Sequence, residues 1–328
     1  MSPGCQRDLR YRADCDIIEL QLCTSKYLWF CHPELAKDLN ALQYRRLEIL
    51  RKLRMTLRVV NRDSQFMITG GNGSRSRNSK RNGSMKKIVF ENYDEMSRAA
   101  AEIVARQLKQ KPNSVLGLAT GSTPLGLYAE LIRLYRAGEV DFAQARSFNL
   151  DEYYPISKSH PQSYYYYMHD NLFSKVNFAS TRLPDGETDD PAKECTAYDA
   201  EIAAAGSIDL QVLGIGLNGH IGFNEPAESY SMSTYLVELT QSTLAANSRF
   251  FTGGEVQPTS ALTMGFGSIF SAKSILLLIS GASKAPIVKR LFDGKIHTDV
   301  PACLLLLHPN VTVILDKEAA GENSRERK

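Results

Sequence analysis

Four short stretches of this sequence combine residues that move protons, hold anions or let the backbone approach a ligand. The densest is Gly214-Ile215-Gly216-Leu217-Asn218-Gly219-His220-Ile221-Gly222-Phe223-Asn224-Glu225-Pro226. Its glycines allow tight turns and close approach. Histidine is the natural proton shuttle near neutrality, and a neighbouring carboxylate such as Glu225, five residues after His220, can raise its basicity. A loop histidine alone fits a structural or solvated role; the glycines and Glu225 are what bring in a catalytic one. Phe148-Asn149-Leu150-Asp151-Glu152-Tyr153 ends an apolar run with two carboxylates, one of which a loop can aim at a substrate proton. A solvated pair fits the same residues. Thr120-Gly121-Ser122-Thr123-Pro124 offers backbone N–H groups and hydroxyls at the positive end of a helix, which suits an anion and also an ordinary N-cap. No Gly-Lys-Ser/Thr follows, so it is not a nucleotide P-loop. Two cations complete the set: Arg249 in Asn247-Ser248-Arg249-Phe250-Phe251, and Lys284 in Gly281-Ala282-Ser283-Lys284. An Arg fork matches phosphate oxygens and a Lys at a helix start adds a point charge, although either alone also fits a surface charge. The tyrosines of Ser163 to Tyr167 read as aromatic packing rather than a binding platform.

These stretches fall where an α/β domain would place them. Met85-Lys86-Lys87-Ile88-Val89-Phe90 reads as a short first strand, and the apolar runs at Ser114–Ala119, Ala145–Leu150, Leu210–Ile215, Ser274–Ile279 and Val311–Leu315 read as buried strands. Helical spacing follows at Asp94–Leu108, with Asp94 as N-cap, and at Thr123–Tyr135, Pro191–Ala205 and Ser283–Phe292. Continuous apolar strands alternating with helices predict a doubly wound, mostly parallel sheet covered on both faces, Rossmann-like in form. Ligands of such sheets bind beyond the carboxyl ends of the strands, and each of the first three stretches directly follows one.

Composition divides the chain near residue 85. Residues 1–84 carry 16 Lys/Arg against 8 Asp/Glu, and the rest carries 23 against 28. The Gly70-Gly71-Asn72-Gly73-Ser74 run and the polar stretch to Ser84 read as a linker. The expectation is a basic, non-catalytic extension over 1–84 and a single catalytic domain over 85–328. A tail ahead of a native start at Met85, a helical accessory segment and a nucleic-acid-binding arm are the readings of that extension. The acidic body excludes nucleic acid from its main surface. Four of six cysteines (Cys5, Cys15, Cys23, Cys31) lie in the extension without paired zinc spacing. Cys195 and Cys303 stand far apart, as reduced cytoplasmic thiols do. No apolar run reaches the roughly 18–20 residues of a membrane span.

Taken in order, Leu118 to Pro124, Asn149 to Tyr153, Gly214 to Pro226, Asn247 to Phe251 and Gly281 to Lys284 resemble the glucosamine/galactosamine-6-phosphate isomerase family, and within it the glucosamine-6-phosphate deaminases. The resemblance begins at about Met85 and has no counterpart for the first 84 residues. It implies a hydrolase of amino-sugar catabolism that converts glucosamine 6-phosphate to fructose 6-phosphate and ammonia, with no metal or organic cofactor. It implies Asp151 as the base that moves the carbon-2 proton, His220 as the ring-opening group and Glu225 as its acidic support. Asn218 falls on a relay position that is Asp in one branch and Asn in another. Thr120, Gly121, Ser122, Thr123, Arg249 and Lys284 match the substrate-phosphate pocket.

The chemistry is coherent: an aminosugar must open, because only the free aldehyde acidifies the carbon-2 proton. A neutral Asn218 orients His220 but carries no charge, so His220 is expected to depend on Glu225. The allosteric branch has basic residues after Asn-Glu-Pro; Ala227 to Val237 holds no Lys or Arg, so a non-allosteric enzyme is expected. A 6-phosphogluconolactonase, a galactosamine-6-phosphate enzyme and a sugar-phosphate-sensing regulator are the rivals, and both monomer and homo-oligomer stay open. The polar, glycine-containing stretch from Tyr235 to Gln257 is expected to form a lid.

Overall fold

The computed structural model describes residues 85–248, 251 and 256–322. Along the chain come β1 (Lys86–Phe90), α1 (Tyr93–Gln110), β2 (Val115–Leu118), α2 (Leu125–Arg136), β3 (Arg146–Asn149), β4 (Asp151–Tyr154) and α3 (Tyr164–Met168). Next are β5 (Ser180–Arg182), α4 (Pro191–Ala204), β6 (Leu210–Leu213), β7 (Tyr235–Glu238), α5 (Gln241–Asn247) and β8 (Ser260–Thr263). The last are α6 (Phe266–Phe270), β9 (Ile275–Ile279), α7 (Ala285–Leu291), β10 (Val311–Asp316) and α8 (Lys317–Ala320). Seven strands form one parallel sheet in the order β1-β10-β9-β6-β2-β3-β5.

The central strands β2, β6 and β9 are buried along their whole length because helices cover both faces. One face packs Leu116, Leu118, Val212, Leu276 and Leu278 against α1 and α2; the other packs Leu213, Leu277 and Val313 against α4 and α7. The doubly wound expectation holds. No helix among the described residues is long and apolar enough to cross a membrane.

Two features depart from the sequence reading. Helix α1 is capped by Asn92, whose extended backbone lets its side chain accept from the Glu95 amide at 3.0 Å; Asp94 lies inside the first turn instead. More consequentially, a second, antiparallel sheet in the order β4-β8-β7 stands beside the first. A single residue, Leu150, separates β3 from β4: its amide donates to Leu118 of the parallel sheet at 3.1 Å, and its carbonyl accepts from Met264 at 2.8 Å. The chain therefore changes sheets at the point where the two acidic residues begin.

Candidate active site

A cleft of about 510 Å³ opens beyond the carboxyl ends of β2, β3, β6 and β9. Residues Thr120 to Thr123, Asp151, Asn218, His220, Glu225 and Lys284 all border it. Arg249 lies outside the described residues, as do residues 1–84.

Asp151 and Glu152 are neighbours with opposite destinations, because successive side chains of a strand alternate faces. Asp151 points into the cleft yet is 6% exposed. Burial, and then the adjacent Glu152 charge, push its carboxyl up to about 8. Gly222 makes room for it: a Cβ there would stand 3.2 Å from Asp151 Oδ2, on a backbone at φ +59 that also favours glycine. Glu152 turns away from the cleft and accepts from the amides of Tyr153, Tyr164 and Tyr165 at 2.9, 2.8 and 2.8 Å. Burial drives it up to about 7 against those three donors. Two of them are the first amides of α3, so Glu152 caps that helix together with Ser163. Tyr164, expected to be packing alone, stacks on Phe223 and also lines the cleft.

The glycine-rich loop after β6 holds a three-residue relay. The His220 Nδ1 lies 2.7 Å from Asn218 Oδ1, and the Asn218 amide donates to Glu225 Oε2. Glu225 Oε2 is itself 3.4 Å from His220 Nδ1. An amide oxygen can only accept, so this arrangement assigns the neutral imidazole's proton to Nδ1 and leaves Nε2 as its basic nitrogen. Burial works against the Glu225 charge; hydrogen bonds from His220, Thr243 and Asn218 overcome it and bring the carboxyl down to about 2. Thr243 of α5 donates to Glu225 Oε1 at 2.6 Å and was not anticipated. The Thr240-x-x-Thr243 spacing of a helix start was its available signal. The segment read as a lid thus supplies strand β7, helix α5 and a relay contact. Gly216 is required by the relay: a Cβ there would lie 2.2 Å from the imidazole.

The anion side of the cleft is built from donors left free. Among the described residues, no amide of Gly121, Ser122 or Thr123 donates to another backbone carbonyl. Lys284 reaches in from the short turn before α7, donates to the Ile215 carbonyl at 2.7 Å and has its pKa lowered by burial. Its turn is fixed by Asp316, the last residue of β10. That carboxylate accepts from Ser280 Oγ and the Gly281 amide and also caps α8. Asp316 ends its strand as Asp151 follows β3, yet it serves structure rather than the cleft.

The profile of glucosamine-6-phosphate isomerases/6-phosphogluconolactonase matches residues 91–314. The glucosamine-6-phosphate deaminase of Thermoanaerobacter pseudethanolicus is 55% identical over 239 residues, covering 72% of this chain and 94% of the relative. That of Halothermothrix orenii is 52% identical over 239 residues, covering 72% and 99%. A solved monomeric glucosamine-6-phosphate deaminase superposes with a TM-score of 0.70 at 45% identity, over 73% of this chain and all of that one. The 6-phosphogluconolactonase of Trypanosoma brucei shares the fold, with a TM-score of 0.58 at 19% identity over 74% of this chain and 99% of that one.

Proposed function

The chain belongs to the glucosamine-6-phosphate isomerase/6-phosphogluconolactonase family, and we propose that it converts glucosamine 6-phosphate and water to fructose 6-phosphate and ammonia. The observation that carries the reading is the pairing, in one cleft, of a buried carboxylate of raised pKa with an imidazole oriented by Asn218.

The substrate phosphate sits against the amides and hydroxyls of Thr120 to Thr123 and the ammonium of Lys284, with Arg249 as a further cation. His220 Nε2 takes the proton of the anomeric hydroxyl and returns it to the ring oxygen, opening the pyranose. Glu225 holds the transient imidazolium through Nδ1, since the neutral Asn218 orients the ring without offsetting its charge. Asp151 then removes the carbon-2 proton and delivers it to carbon 1. This leaves an iminium at carbon 2, which water attacks and from which ammonia departs. General acid–base assistance of this sort contributes roughly 10²–10⁴-fold per group, and the phosphate grip adds positional catalysis. No step calls for a metal or organic cofactor.

The reaction belongs to cytoplasmic amino-sugar catabolism, where the buried free thiols of Cys195 and Cys303 stay reduced. Residues 1–84 form an extension that the chemistry does not use. Ammonia release from glucosamine 6-phosphate by the full chain tests the assignment. Hydrolysis of 6-phosphogluconolactone without ammonia release from the aminosugar would overturn it.

A further inference from the structure

We propose that Tyr93 and Tyr167 are positioning residues for the phosphate loop, two phenols that hold the carbonyls of Gly121, Ser122 and Thr123 away from the bound anion. The proposal rests on the reading of that loop as the phosphate cradle. Tyr167 Oη donates to the Gly121 carbonyl at 2.6 Å. Tyr93 Oη stands 3.1 Å from the Ser122 carbonyl and 3.0 Å from that of Thr123, sharing its proton between them, and accepts from the Gly126 amide at 2.7 Å. Three successive carbonyls of one loop are thereby occupied from outside the cleft, while its amides stay free of backbone partners among the described residues.

The two phenols arrive from separate elements. Tyr93 opens α1, after β1, and Tyr167 lies in α3, beyond β4, so the loop is gripped from both flanks. Packing leaves one side of it open. Behind it runs an open groove of about 550 Å³ bordered by Tyr93, Ser122, Thr123, Leu125, Gly126 and Ser280. Gly121, at φ +103, has no atom within 4 Å of where a Cβ would stand. A glycine with open space around it turns freely, and a carbonyl rotated toward a phosphate would repel it. Gly126 in turn leaves room for Ser97 and for the phenol: a Cβ there would lie 2.3 Å from Ser97 Oγ and 2.9 Å from Tyr93 Cε1. Nothing in the local sequence pattern marks either tyrosine, because they come from outside the loop.

Tyr93→Phe and Tyr167→Phe in the full chain keep the rings and remove the hydrogen bonds. The measurements are kcat and KM for ammonia release, competitive inhibition by inorganic phosphate, and thermal melting as a check on folding. The expected result is a KM raised about 5- to 10-fold per phenol, a phosphate inhibition constant raised by the same factor, and kcat within about twofold. A purely structural role would lower the melting temperature without this split. Folded variants with wild-type KM and phosphate inhibition would overturn the proposal, as would a fall in kcat at unchanged KM. If phosphate fails to compete in the active wild type, the cradle reading itself falls and the proposal with it. Should one variant not fold, the other phenol, acting from the opposite flank, decides.

Discussion

At the scale of single residues, burial gives Asp151 its basicity and charges for it in stability. A base acts in its ionised form, so a carboxyl near 8 should give kcat/KM a limb that falls as pH drops through that value. Part of the rise comes from the negative Glu152, so Glu152→Gln should move the limb to lower pH; steady-state profiles of both proteins check this. Asp151→Asn should cut ammonia release by about 10²–10⁴-fold or more. The sign of its stability effect follows from linkage. Between its ordinary value of 3.8 and about 8, the folded protein holds a proton that the unfolded chain has lost. Stability therefore falls as pH rises through that window, and Asp151→Asn should melt higher than wild type at pH 8, with the gap closing toward pH 4. The types of the site residues were legible because carboxylates, a histidine and glycines cluster after apolar runs. The directions were not legible from residue type: as adjacent carboxylates Asp151 and Glu152 are alike, only the resemblance singled out Asp151, and strand alternation sends one to the cleft and the other to cap α3.

At the scale of elements, the relay depends on a loop that must stay slim. Gly216→Ala would drive a methyl into the His220 ring, so we expect kcat to fall at least tenfold with the fold retained, measurable by kinetics beside circular dichroism. The parallel strands were readable where they lie in the interior, since burial on both faces demands uninterrupted apolar runs such as Ile275–Ile279. Edge strand β5, Ser-Thr-Arg and largely exposed, carries no such signature. The antiparallel sheet escaped for a different reason. Asp-Glu-Tyr-Tyr and Tyr-Leu-Val-Glu each look like surface loop until they pair across Ser260–Thr263. That pairing is tertiary information. Thr243 was hidden with it, because its partner Glu225 lies 18 residues away in sequence.

For the whole molecule, the relay, the base and the described cradle residues are all supplied by elements that follow Met85. We expect a chain starting at Met85 to release ammonia with the same kcat and KM as the full chain, and a loss of activity on truncation would refute a dispensable extension. Hyperbolic kinetics unaltered by N-acetylglucosamine 6-phosphate are expected as well, given no Lys or Arg between Ala227 and Val237. The sheet junction at Leu150 carries one more consequence. Leu118 leads by two residues into the anion loop, Leu150 leads by one into the base, and the two strand ends are bonded to each other at 3.1 Å. The spacing between the start of the anion loop and the start of β4 is therefore set by backbone. Such a spacing counts carbons: an amino-pentose 5-phosphate should occupy the cradle, hold its carbon 2 short of Asp151, and leave unreacted.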